Sequence, residues 1–194
     1  MSNWNTMASY PALDPGFDAK TLINKLSALY VLMQNCWSAK DLTPLRPYFT
    51  DAQYAQYDRQ LDSGYRQAGL TSHIENIAVL GVTLDRWHVS GDNDEIIATV
   101  QARFTQYTTD DKTGKLVRGS KTAKKYMTYE WTISRKHGVI TTDGTRTINC
   151  PHCNAPLEIN KTARCEYCGS IVTVDSVDWV ISNIKGIAQR TEGR

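Results

Sequence analysis

The chain has 194 residues, enough for one medium-sized domain and a small metal-stapled module. With 22 Lys and Arg against 20 Asp and Glu, its formal net charge of +2 is not the whole-chain mark of a nucleic-acid binder. Its uninterrupted apolar stretches, Ile77–Val82 with Gly81 included among them, are too short to cross a bilayer, and the N-terminus lacks the basic-then-apolar layout of a secretory signal.

In chain order, residues 1–13 carry little pattern and read as an N-terminal extension. Asp14-Pro15-Gly16-Phe17-Asp18 opens a long helix, since proline fits a first turn and acidic residues suit its positive end. Leu22, Leu26, Leu29, Tyr30, Met33 and Trp37 recur at three- and four-residue steps and make one face apolar. Thr43-Pro44 starts a short helical piece through Tyr48. Thr50 with Gln53 has the spacing of a capping box for a third helix, whose stripe is Tyr54, Tyr57, Leu61 and Tyr65 and whose stop is Gly69.

After residue 70 the period changes. Ile74–Val89 is β-rich, and Gly91-Asp92-Asn93-Asp94 is a turn. Ile96, Ala98, Val100, Ala102 and Phe104 then alternate with Ile97, Thr99, Gln101, Arg103 and Thr105, as a half-buried strand requires. Thr108–Thr122 is polar and reads as a long hairpin loop. Met127, Tyr129, Trp131 and Ile133 mark the next strand. Residues 178–187 read as a further buried strand. An amphipathic helix has a compatible pattern there, but β-branched content and Gly186 favour the strand. Helices first and long strands after predict an α+β fold, with helices on one face of a curved antiparallel sheet.

Cys150-Pro151-His152-Cys153 and Cys165-Glu166-Tyr167-Cys168 are two Cys-x-x-Cys pairs eleven residues apart. Two intervening residues let a tight turn aim both sulfurs at one metal, and a short hairpin brings the second pair round. The pattern predicts a zinc ribbon over residues 147–174, with Cys150, Cys153, Cys165 and Cys168 filling all four positions, so the Zn2+ is structural. Two disulfides or a redox motif are disfavoured: the chain shows no secretory signal, and a redox motif needs no matched second pair. Cys36 lies on the apolar helix stripe and reads as an inert buried thiol.

Further stretches resemble a known family. They are Leu13-Asp14-Pro15-Gly16-Phe17-Asp18, Leu29–Gln34, Trp37-Ser38-Ala39-Lys40-Asp41-Leu42, Leu45–Asp51 and Ile74–Leu80, over roughly residues 13–135 and again from Trp179. Together they are similar to the Tim44-like domain, named for the scaffold subunit of the mitochondrial inner-membrane import motor, and to its bacterial relatives with a zinc ribbon. The resemblance implies a fold like nuclear transport factor two: three helices on a curved four-stranded antiparallel sheet, forming a cone with an apolar pocket. In this frame residues 14–146 and 175–190 form the α+β domain, and the ribbon is inserted before the last strand. The resemblance also implies a protein-binding role near a membrane. Many bacterial relatives carry an N-terminal membrane segment, and this chain departs from that pattern.

Three function classes compete: a non-catalytic binding or scaffold domain at the cytoplasmic face of a membrane, possible partners being a protein, anionic lipid headgroups or an apolar ligand in the cone; an isomerase- or dehydratase-like enzyme; and a nucleic-acid-binding ribbon protein. Against an enzyme, His73, His88, His137 and His152 stand apart in sequence, and Asp85 and His88 are three apart on a strand and point to opposite faces. The expected pocket positions, Ala98, Val100, Phe104, Met127, Tyr129 and Trp131, are mostly apolar. Lys112, Lys115, Arg118, Lys121, Lys124 and Lys125 form a basic hairpin suited to an anionic surface. Only Tyr126 lies among these lysines for base stacking, which disfavours nucleic acid. The expected place is the cytoplasm or the cytoplasmic face of the inner membrane.

Overall fold

The computed structural model describes residues 4–142, 147–150, 153, 155–158, 165–169 and 178–193. Helix α1 spans Ala19–Ala39. Its first turn is held by Asp18, whose carboxylate accepts the Lys20 and Thr21 backbone N–H groups at 3.1 Å each. It ends where Lys40 turns left-handed, at φ 58°. Arg66 donates to the Lys40 carbonyl at 2.9 Å, placing a cation at the negative end of the helix. The expected stripe Leu22, Leu26, Leu29, Tyr30 and Met33 is buried. Trp37 is half-buried and packs against Tyr57 and Tyr65.

A 3-10 turn at Thr43–Tyr48 leads to helix α2, Asp51–Leu61. Thr50 Oγ1 accepts the Gln53 N–H at 3.3 Å, which is half of the expected capping box. The other half is replaced: the Thr50 N–H donates to the Ile181 carbonyl at 3.0 Å, tying the helix start to the last strand of the sheet. A π-helical turn at Asp62–Arg66 follows, and Gly69, with φ +63°, sits at the stop predicted for it.

The main sheet is antiparallel, with order β1-β2-β3-β4-β7. Its strands are β1 (Asn5–Thr6), β2 (Leu70–Ser90), β3 (Asn93–Asp110), β4 (Leu116–Lys136) and β7 (Val180–Glu192). A hairpin of β5 (Thr147–Asn149) and β6 (Pro156–Glu158) lies between β4 and β7 in the chain. Register shifts at Glu75/Ala78, Val79/Gly81 and Leu84/Arg86 bend β2. One face of β3 and β4, with Ile96, Ala98, Val100, Ala102, Trp131 and Ile133, joins the α1 stripe in a single core.

Three sequence expectations change. The sheet has five strands where four were expected, because Asn5 and Thr6 pair with Trp87 and Arg86. Residues 7–12 form a 3-10 turn that buries Tyr10 completely, and six residues of 3-10 turn leave no period to read. The polar stretch 108–122 is mostly strand: Thr108 pairs with Arg118, Tyr107 with Gly119 and Gln106 with Ser120. A ladder needs only backbone groups, so polar side chains do not prevent it. Gly119 is required there, since a Cβ would meet the Gln106 carbonyl oxygen at 2.4 Å with φ at +83°.

A buried polar network closes one end of the sheet. Arg135 and Asp14, 2% and 1% exposed, pair at 2.8 Å. The Arg135 guanidinium also donates to the Tyr10 hydroxyl and to Thr141 Oγ1, both at 2.9 Å, and lies 4.6 Å from the Trp179 ring centre. Tyr10 donates to Asp94 at 2.7 Å, and His137 meets the other Asp94 oxygen at 2.6 Å. Burial acts to raise the Asp14 pKa, but hydrogen bonds from Thr141 and Arg135, with the Arg135 charge, hold it below the usual carboxylate value.

Breaking a buried pair from one side costs about 3–5 kcal/mol, so Asp14→Asn should lower unfolding free energy by that amount in urea titrations. A depressed carboxylate stabilises the fold fully above its unfolded pKa of about 3.9 and loses that contribution as pH falls toward the folded value. The variant should therefore show a shallower loss of stability between pH 5 and pH 2 than the parent; equal slopes would remove Asp14 from the acid response.

Candidate metal centre and cationic hairpin

Strand β5 pairs with β6 from Thr147↔Glu158 to Asn149↔Pro156, and the chain reaches Cys150 directly after β5. The Cys150 N–H donates to the Ala155 carbonyl at 2.8 Å, closing the turn that carries Cys150 and Cys153. On the second pair, the Gly169 N–H donates to the Cys165 carbonyl at 2.8 Å, with Gly169 at φ +70°. Two tight turns thus face each other. Cys150 and Cys165 are buried, while Cys153 and Cys168 are exposed.

All four Sγ atoms lie within 4.8 Å of one another. Cys150 and Cys168 are 3.7 Å apart, and Cys153 and Cys165 3.6 Å. A disulfide needs about 2.05 Å, so these are four thiols. A tetrahedron with metal–sulfur bonds of ~2.3 Å has edges of roughly 3.8 Å, and these two separations match it. The Cys153 sulfur accepts the Ala155 N–H, which lowers its pKa, yet desolvation and the neighbouring sulfurs of Cys168, Cys165 and Cys150 push the thiol up to about 12. Four sulfurs this close deprotonate together only around a cation. The donor set fits a metal ion with all positions filled by protein. His152, Lys161 and Arg164 lie outside the described residues.

The six basic positions do not form one patch. Lys112, Lys115, Arg118, Lys121 and Lys124 are exposed. Lys121 lies 5.0 Å from the Tyr107 ring centre. Arg118 sits 5.2 Å from the Tyr65 ring centre and donates from Nε to Thr108 at 3.3 Å. Lys125 is half-buried, donates to Gln106 at 3.1 Å and lies 5.9 Å from the Phe104 ring centre. Two acids share the turn. Asp110 accepts the Lys112 and Thr113 N–H groups, and Asp111 pairs with Lys40 at 2.6 Å.

Ala98, Val100, Phe104, Met127, Tyr129 and Trp131 do share one face, but α1 covers much of it. Ala98, Val100 and Trp131 are wholly buried, Tyr30 stacks on Trp131, and Tyr30 also meets Tyr129. The described cavities lie elsewhere. One, of about 610 Å3, sits at the hairpin end beside Tyr65, Arg118 and Lys125. Another, of about 350 Å3, sits beside Phe17, Lys25 and Trp179.

The histidines are engaged locally. His73 bonds Thr109 and stacks on Tyr107, His88 meets Glu95 at 3.0 Å, and His137 meets Asp94. Asp85 instead accepts from Thr99. None of these three histidines lines either cavity. The His88–Glu95 and His137–Asp94 pairs join neighbouring strands and were invisible to spacing along one strand. Among the described residues no helix is long and apolar enough to cross a membrane.

An α+β plan with helices on a bent antiparallel sheet, carrying four close cysteines between its last two strands, does not by itself define a chemistry. Residues 4–146 match the Tim44-like domain, and the chain belongs to that family. No curated protein matches the chain.

Replacing one of four ligands leaves an open, strained site. Cys165→Ser should lower bound metal from one ion per chain to well under half, read by elemental analysis of dialysed protein. The cysteine pair Cys150 and Cys165 forms its own small cluster, separate from the main core, so the helix-and-sheet melting transition should stay in place. Disulfide-paired cysteines in the parent protein, found by mass spectrometry under anaerobic preparation, would contradict the metal centre.

Proposed function

We propose that this protein is a non-catalytic binding domain that works at an anionic membrane surface, at its cytoplasmic face, in association with protein transport. Family membership supports a scaffold role. The observation that carries the membrane part is the β3–β4 hairpin, where Lys112 and Lys115 in its turn and Lys124 on its paired β4 strand are exposed to solvent. Each basic residue near an anionic bilayer contributes about 1 kcal/mol. Held on one hairpin and its short turn, they act together.

The cone shape of nuclear transport factor two fits the bent sheet and its helices. We assign the metal as zinc, since an all-thiolate tetrahedral set suits zinc and leaves no coordination site for a reactant. Catalysis finds little support. The described histidines pair with groups of the neighbouring strand, and none lines either cavity. The protein partner is then recognised by surfaces of the domain or the ribbon, where Tyr167 is 70% exposed.

Lys112→Glu, Lys115→Glu and Lys124→Glu combined should abolish co-sedimentation with vesicles containing phosphatidylglycerol. The melting temperature should move little, because exposed charges contribute little to folding. Parent binding should fall steeply from 0.1 M to 1 M salt, as the Debye length shrinks from about 10 Å to about 3 Å. Parent protein that ignores such vesicles at low salt while binding single-stranded nucleic acid would overturn the membrane reading.

A further inference from the structure

At the hairpin end the helix-facing side of the sheet changes chemistry. Along β3 it runs Ala98, Val100, Ala102 and Phe104, then Gln106 and Thr108; opposite them on β4 stand Lys125 and Arg118. Here the cavity of about 610 Å3 opens, lined among others by Tyr65, Gln106, Arg118, Lys125, Gln189 and Thr191. We propose that this cavity is a binding site for a phosphate monoester, held by Arg118 and Lys125.

Arg118 is exposed and Lys125 half-buried, and both differ from the ion-paired cations of the molecule. Lys25, Lys40, Arg46, Arg66 and Arg135 each have a carboxylate partner. Arg118 and Lys125 have only neutral ones, Thr108 and Gln106, and no carboxylate lines the cavity among the described residues. Lys125 is also half-buried, and desolvation lowers its pKa. A cation withdrawn from water with no counter-charge is a standing cost that a bound anion offsets.

Geometry favours a phosphate ester over a bare ion or a carboxylate. The Arg118 guanidinium lies over the Tyr65 ring and donates from Nε to Thr108, which leaves its two Nη groups for a forked contact with an oxyanion. Lys125 supplies a second charge from the neighbouring row of the same strand. Gln189 and Thr191 add neutral polar groups from β7. Two charges suit a phosphate monoester near neutral pH, which carries more than one negative charge, and exceed what a carboxylate needs. A bare phosphate would leave most of the cavity empty, since its volume lies in the range of small-molecule sites of about 300–1,000 Å3. The Tyr65 face and Ala123 give the esterified group an apolar wall.

This site is separate from the exposed lysines that carry the membrane reading, so either can fail alone. Isothermal calorimetry and two-dimensional NMR with glycerol 3-phosphate, inorganic phosphate and acetate test it on the full chain. Glycerol 3-phosphate should bind saturably at one per chain. Arg118→Gln and Lys125→Gln should each weaken it at least tenfold with unchanged melting temperature, while Lys125→Arg retains binding and Lys112→Glu with Lys115→Glu changes it less than twofold. Vesicles of phosphatidic acid in phosphatidylcholine distinguish the source. Arg118-dependent vesicle binding that glycerol 3-phosphate competes away assigns a lipid headgroup, and glycerol 3-phosphate binding with vesicle binding indifferent to Arg118 assigns a soluble ester. Three results would overturn the proposal: no saturable binding of glycerol 3-phosphate or of phosphatidic acid vesicles, equal affinity in the Gln variants, or acetate binding as tightly as phosphate.

Discussion

The Arg135–Asp14 pair holds the ends of this fold together. Arg135 ends the buried part of β4, Asp14 precedes α1, and the groups around them come from the N-terminal turn, the start of β3, Thr141 and the approach to β7. Every one of these segments is irregular or terminal. Without a shared partner each would fray, since short turns and strand ends have few ladder bonds of their own. A fully buried guanidinium is tolerable only when its donors are met, and here a carboxylate, a phenol and a hydroxyl meet them while an indole face covers the plane. The Arg135 Nε is left without a partner. The network therefore specifies where the segments go more than it adds net stability.

Much of this architecture was readable in the amino acids, and what was not has a physical cause. The α1 stripe, the alternation of β3 and the Cys-x-x-Cys spacing are periodic or local, so each announces itself over a few residues. Arg135, Asp14, Tyr10 and Asp94 are joined across as many as 125 positions, and no local pattern marks such pairings. The hairpin was misread as a loop for a related reason. Its strands extend beyond the core, where side chains are free to be polar while the backbone still pairs. The positions read as an apolar pocket or as packing lie on one face of β3 and β4, and there Tyr30 stacks on Trp131.

Alternation along β4 also explains how one basic run divides into two chemistries. Successive residues of a strand point to opposite faces, so charges crowded in sequence are separated in space. Arg118 and Lys125 turn toward Tyr65 and the cavity, whereas Lys121 lies over Tyr107 on the outer side and Lys124 faces solvent. The bulge between Thr105 and Gln106, opposite residues 120–124 of β4, breaks simple alternation and allows Lys125 and Arg118 to share a face despite their odd separation. A count of lysines in a window cannot see this division; the register can.

The same strand separates the two ends of the molecule. β4 has 21 residues, so at a rise of ~3.3 Å each its length is roughly 65 Å if straight. The ribbon leaves the sheet after Lys136 and returns at Val180, which pairs with Ser134, at the end closed by Arg135. The cationic cavity lies near the other end, past Lys125. Lys25 reinforces the ribbon end, bonding the Asp178 carboxylate at 2.7 Å and the Trp179 carbonyl at 2.8 Å. A metal centre that joins the sheet at this end can be gained or lost with little effect on a cavity so far along β4. One long strand thus joins the four-cysteine hairpin at one end to the concavity beside Arg118 and Lys125 at the other.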